Sequence, residues 1–230
     1  MARGPVVYSP LDRPFLAVAI AVAVVLVALL QVGVVTYAFN KLGVGPQWAT
    51  VVLLASLAGS MINLPVARLR GGVVRAMRTV TVFGVRYLVP VLTHRDTIIA
   101  VNVGGALVPA ALSGYLIARE DLGWRALVAV AAVGLLVYLV ARPVPGLGIA
   151  VPTLLPGICA VLVAILLNPP AALAGLAYVG GTLGTLAGAD LANLPKVRRL
   201  GAPVVSIGGA GTFDGVFLTG IIAVVLAGFV

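Results

Sequence analysis

The chain has 230 residues, 62% of them hydrophobic and only 9% charged, with a formal charge of +9. A soluble globular domain is about 45–50% apolar and about 25% charged. The composition therefore points away from water and predicts an all-α integral membrane protein, one polytopic domain over residues 1–230 that partners the lipid bilayer. The charge does not indicate a nucleic-acid partner, because the basic residues sit in short connectors between apolar runs. There they read as orientation signals and contacts to anionic headgroups.

Residues 1–14 are a short polar start with Arg3 and Arg13. Phe15–Phe39 is longer than the apolar core of a cleaved signal peptide, about 7–15 residues, and lacks a small-residue cleavage site. It is expected to be a retained first span, since about 20 residues cross the hydrocarbon core. A second span is predicted from Trp48, a headgroup-level residue, to about Val66. Residues 67–95 break the pattern with six arginines, Arg68, Arg70, Arg75, Arg78, Arg86 and Arg95. Among them Thr79–Val89 is rich in β-branched and aromatic residues, which predicts a cytoplasmic strand or hairpin; an amphipathic interfacial helix is the competing reading.

The third span is expected over about Thr97–Ala118. Its Gly104-Gly105 and Pro109 suggest a broken or kinked helix, tolerated where protein or a cavity surrounds it. Spans four to seven follow at Ala126–Ala141, about Ile149–Leu167, about Ala171–Ala189 and about Pro203–Val230. Glycines 175, 180, 181, 184 and 188 make the sixth the closest-packing helix. With a cytoplasmic amino terminus and an outside carboxyl terminus, twelve basic residues fall in inside connectors. Three, Lys41, Arg119 and Arg125, fall outside. That bias supports seven spans in this orientation in a cell membrane.

One cysteine, Cys159, and one histidine, His94, leave no intramolecular disulfide and make a poor metal site. No metal or cofactor is expected. The chemistry-bearing residues are two aspartates in apolar, glycine-rich surroundings. Asp190 stands where the sixth span ends, and Asp214 lies about a dozen residues into the seventh. In a straight helix Asp214 would sit roughly 15–18 Å deep, too far from Asp190, unless Gly208, Gly209 and Gly211 unwind the start of that span. Carboxylates in close contact share one proton. The ionised partner then activates water while the protonated one polarises a peptide carbonyl. Asp190 has a plainer reading too, as a helix cap or a partner of Arg198 or Arg199.

Val101-Asn102-Val-Gly104-Gly105-Ala echoes Val205-Ser206-Ile-Gly208-Gly209-Ala. Broken helices of this kind surround midplane sites in transporters. In that reading Asp214, Asn102, Ser206 and Thr212 are ligands or a proton carrier.

The Gly-Ala-Asp190-Leu and Pro203-Val-Val-Ser-Ile-Gly-Gly-Ala-Gly-Thr-Phe-Asp214-Gly stretches, with Val-Asn102-Val-Gly-Gly-Ala, resemble the prokaryotic membrane family numbered 1614 among domains of unknown function. That resemblance implies an integral membrane protein and no activity. A looser similarity is to the presenilin, signal-peptide-peptidase and prepilin-peptidase group of intramembrane aspartyl proteases. It implies Asp190 as the first catalytic acid and Asp214, after Gly209-Ala-Gly211-Thr-Phe, as the second. Pro109-Ala-Ala-Leu112 resembles that group's Pro-Ala-Leu element with an extra alanine, placed before the aspartates. The leading expectation is an intramembrane protease acting on a membrane-protein or peptide substrate, with the 79–89 segment offering an edge to it. A proton- or cation-coupled transporter and a non-catalytic membrane scaffold are the alternatives.

Overall fold

The computed structural model describes residues 32–69, 73–82, 85–94, 96–144, 148–152, 154–167, 172–197, 204–209 and 215–230. The chain is mostly helical with small sheets. In chain order the helices are α1 (32–41), α2 (Pro46–Gly59), α3 (Val108–Arg119), α4 (Gly123–Val140), α5 (Leu155–Leu167), α6 (Leu173–Thr185), α7 (Leu194–Val197) and α8 (Gly215–Ala227). The strands are β1 (Asn63–Leu69), β2 (Val73–Val82), β3 (Val85–His94), β4 (Thr97–Asn102), β5 (Arg142–Val144), β6 (Gly148–Ala150) and β7 (Val204–Ile207). Among the described residues α4 is long and apolar enough to cross a membrane; α2, α5 and α8 are apolar but shorter.

α6 is the core. It packs against α3, α4, α5 and α8, and Leu173 and every residue from Gly175 to Gly181 are buried. Small residues permit this. A Cβ on Gly184 would lie 2.8 Å from Val133 Cβ, and one on Gly188 would lie 2.1 Å from the carbonyl oxygen of Gly134. The large apolar side chains face outward instead, with Leu127 74% exposed, Leu139 68% and Leu166 83%.

Several predicted spans begin or end in extended chain. α2 stops at Gly59, and the chain leaves as β1, which contains Pro65. The third span starts as β4, passes through a π-helical turn at Val103–Leu107 and only then becomes α3. The seventh starts as β7 and becomes helical at Gly215. In the fifth, Gly148–Ala150 is a strand and the helix starts at Leu155, because Pro152 removes a backbone donor. The expected segment at 79–89 is part of the β2–β3 hairpin, which extends well beyond it at both ends.

β1, β4 and β7 form one sheet with β4 in the centre, β1 antiparallel and β7 parallel to it. β4 leads through the π-helical turn into α3, β7 precedes α8 in the chain, and α3 and α8 are in contact. The sequence echo is thus a structural pair, but Val101 pairs with Ile207 rather than Val205, a slip of two residues. Connectivity places the ends of α2 and α6 and the starts of α3 and α8 at this sheet end of the bundle.

Gly188→Val puts a side chain into the Gly134 carbonyl and is expected to cost about 1–3 kcal/mol. Gly114→Ala, on an open face of α3, should raise stability by up to about 1 kcal/mol. Thermal unfolding of the purified full chain checks the pair.

Candidate functional site

The site is built where the broken elements meet. Helix breaks leave backbone groups to be satisfied, and asparagine and serine side chains do this work. Asn102, 1% exposed, caps the π-helical turn: its Oδ1 accepts from Gly105 N at 2.7 Å. Its Nδ2 donates to the Ser60 carbonyl at 2.7 Å and to Asn63 Oδ1 at 3.2 Å. Asn63 Oδ1 also accepts from Ser206 Oγ at 2.5 Å. One side-chain network therefore ties β1, β4 and β7 together. Ser56 Oγ donates to the Gly104 carbonyl at 2.7 Å, and a Cβ on Gly104 would collide with the Ser56 carbonyl at 1.9 Å. Gly104 thus lets α2 lie directly on the turn that begins α3.

α6 ends in a second π-helical turn, Leu186–Leu191. Such turns insert an extra residue and are frequent at functional sites. Asn193, fully buried, holds this one by donating from Nδ2 to the carbonyls of Gly188 and Ala189 at 2.9 and 3.0 Å. The turn aims Asp190 at the start of the seventh span, where Asp190 Oδ2 accepts from Gly208 N at 2.7 Å. Gly208 and Gly209 have φ of +81° and +85°, left-handed conformations that glycine adopts without steric cost. Gly208 also lies against the Gly105–Ala106 backbone, with 2.6 Å from its Cβ position to Ala106 Cβ. The glycine turn after β7 is thus seated on the glycine turn after β4.

Of the predicted site residues, Asp190, Asn102, Gly104, Gly105, Ser206, Gly208 and Gly209 gather here. Pro109 stands in the first turn of α3 and is buried. Asp214, Gly211 and Thr212 lie outside the described residues, as do Arg198 and Arg199, the basic partners expected for Asp190. The premise for bringing the aspartates together is met in one respect. The start of the seventh span is not a helix, and Asp214 directly precedes the residue at which α8 begins.

Ser56, Ser60, Asn63 and Asn193 were missed. Ser56, Ser60 and Asn63 are polar residues within the predicted second span, and Asn193 follows the predicted end of the sixth. A groove of about 500 Å³ lined by Gly134, Tyr138, Ala187, Gly188 and Ala192 runs between α4 and the π-helical turn that carries Asp190. Among the described residues no three His, Cys, Asp or Glu side chains converge as a metal site.

Asp190 stands one residue beyond Ala189, the predicted end of the sixth span. Burial pushes its carboxyl up from 3.8 to about 6, and the hydrogen bond from Gly208 N–H opposes that rise. A raised carboxyl favours the protonated folded state. Its contribution to stability is therefore complete below pH 3.8 and is lost as pH rises through about 6. Asp190→Asn, neutral at every pH, should flatten the stability profile across that interval, measured as melting temperature against pH.

A model of the family described as "Protein of unknown function (DUF1614)" matches residues 57–226. No curated protein and no solved structure matches the chain.

Proposed function

The chain belongs to the DUF1614 family, which brings no activity with it, and from the geometry we propose a multi-pass membrane protein that acts as an aspartate-dependent intramembrane protease. The membrane reading is supported by the outward-facing apolar residues of α4 and α5 around a core helix of small residues. Large exposed apolar surfaces on a monomer mark contact with lipid or protein. α1 to α6 and α8 each overlap part of one of the seven predicted spans, and α4 has the length to cross a membrane. The charge partition then puts the sheet end on the cytoplasmic side and both aspartates at that side.

The observation that carries the protease reading is the bond from Gly208 N–H to the Asp190 carboxylate. It fastens the first acid to the backbone segment that leads, six residues later, to the second. A carboxylate buried at the end of a span is costly to ionise, and such a group in a cleft is a candidate for function. In the proposed dyad one carboxylate takes a proton from water, which attacks the scissile carbonyl carbon. The other, protonated, donates to the carbonyl oxygen, and the proton from water then reaches the leaving amine. The left-handed turn at Gly208–Gly209 lets this backbone close onto α6.

β7 also supplies a place for substrate. Among the described residues it is an edge strand, paired with β4 on one side, and it runs directly into the glycine turn. An extended peptide laid along it would be held by main-chain hydrogen bonds beside Asp190. That role was expected at 79–89; the edge next to the carboxylate is Val204–Ile207. The groove between α4 and the π-helical turn offers a side entry from the bilayer.

Asp190→Asn and Asp214→Asn should each lower cleavage of a membrane-embedded reporter substrate by at least about a hundredfold, the scale of a lost general acid or base. Cleavage that survives either substitution rejects the dyad.

A further inference from the structure

α6 carries a line of polar groups that neither the proposed dyad nor helix packing uses. Tyr178 and Thr182 are 0% exposed and Thr185 is 5% exposed. The Tyr178 and Thr182 hydroxyls face each other within hydrogen-bond reach, and among the described residues the three hydroxyl oxygens find no partner beyond that contact. Other helix hydroxyls here close on the carbonyl four residues back: Thr50 to Pro46, Ser113 to Pro109 and Thr219 to Gly215. Those of α6 do not, although that option is open to any helical threonine. A buried hydroxyl short of partners costs about 1–3 kcal/mol, and three hydroxyls in one helix interior that turn to one another rather than to the backbone need a common cause.

They lie on one face. At the start of α6, Gly175 packs against the carboxyl group of Glu120. That carboxyl occupies the place of a side chain at 175, and its Oε2 is also buried without a partner among the described residues. Gly175, Tyr178, Thr182 and Thr185 follow the spacing i, i+3, i+7, i+10, which is a single helical stripe. The π-helical turn begins directly after Thr185 and carries the chain on to Asp190, which stands at the far end of the same helix. α8 closes over the middle: a Cβ on Gly220 would meet Thr182 Oγ1 at 2.6 Å and the Tyr178 ring at 2.7 Å. A carboxyl group therefore stands at each end of a buried row of hydroxyls roughly 22 Å long, from 175 to 190 at 1.5 Å per residue.

We propose that this face of α6 is a proton path through the bundle, from Glu120 through Tyr178, Thr182 and Thr185 to Asp190. Side chains one helical turn apart are about 5–6 Å from each other at Cβ, a gap that one bridging water closes with hydrogen bonds to both. Each hydroxyl or water takes a proton on a lone pair and passes its own to the next. No covalent bond between heavy atoms changes, no electrons are transferred, and the gradient across the membrane drives the flow. Glu120 is the outer acceptor, with the Arg119 guanidinium beside it. Asp190 is the inner one, fastened by Gly208 N–H and by the turn that Asn193 holds. Chains of carboxyl groups and relays of this kind mark proton routes in membrane proteins. The path rests on the membrane reading and not on the protease reading.

The test uses the full chain in vesicles of phosphatidylethanolamine and phosphatidylglycerol with a trapped pH-sensitive dye and an imposed pH gradient. The expected result is proton entry several-fold faster than in protein-free vesicles. Tyr178→Phe, Thr182→Val and Thr185→Val should each return it to the protein-free rate, while Thr185→Ser, which keeps the hydroxyl, should retain it. Entry no faster than in protein-free vesicles overturns the proposal, as does entry indifferent to the three hydroxyl deletions. Circular dichroism and melting temperature confirm that the compared variants are folded. Cleavage by the same preparations separates the two readings. Flux without cleavage sinks the dyad and leaves the path, and cleavage without flux does the reverse.

Discussion

At the crossing of α4 and α6 the two backbones meet with almost nothing between them. Gly184 and Gly188 on one side and Gly134 on the other bring main-chain atoms within contact distance. Everything else follows from that approach. A helix of small residues can be surrounded by four others, and the bulky leucines and valines of the neighbours are then turned outward. Under the membrane reading proposed above, such an arrangement faces lipid. In lipid it is the expected solution, since tails and leucines are equally apolar and association depends on close van der Waals contact.

Close packing also explains why the ends of the helices are irregular. Gly188 sits inside the π-helical turn and against the Gly134 carbonyl, so the contact that fixes α6 also fixes the turn that presents Asp190. Broken helices expose backbone groups, and in an apolar setting these need partners within the protein. The sheet of β1, β4 and β7 supplies most of them, and Asn102, Asn63, Ser206 and Ser56 supply others. The sheet is thus the means by which two spans begin as something other than helix, which is what allows the Gly208 turn to reach a carboxylate on α6.

The apolar runs, their order and the breaks at the two Gly-Gly pairs were legible in the sequence, because hydrophobicity and glycine placement are local signals. The position of Asp190 at the end of span six was legible for the same reason. Strand pairing was not. β4 and β7 are separated by about a hundred residues, and short strands inside apolar runs have no alternation to reveal them. The sequence echo suggested two broken helices and no strand pairing, and the ladder runs two residues out of step with it, since the echo matches residue types and the ladder follows hydrogen bonds. The roles of Asn193 and Glu120 were also hidden. One depends on a π-helical turn, which inserts a residue without a compositional signature. The other depends on a glycine 55 positions away, Gly175, against which the carboxyl group lies.

In the proposed scheme Asp190 belongs to two systems at once, and their requirements agree. A dyad holds one proton between two acids, so its activity depends on how that proton is supplied and removed. A proton path ends on a group that alternates between acceptor and donor without large movement. Asp190 meets both conditions by geometry: its Oδ2 is fixed by a backbone N–H that does not titrate. The π-helical turn that carries it continues directly from the end of α6, after Thr185. Burial raises the carboxyl from 3.8 to about 6, so the two protonation states balance in mildly acidic solution. A residue that only capped a helix end or paired with a surface arginine would be pulled the other way, toward a permanently ionised carboxylate.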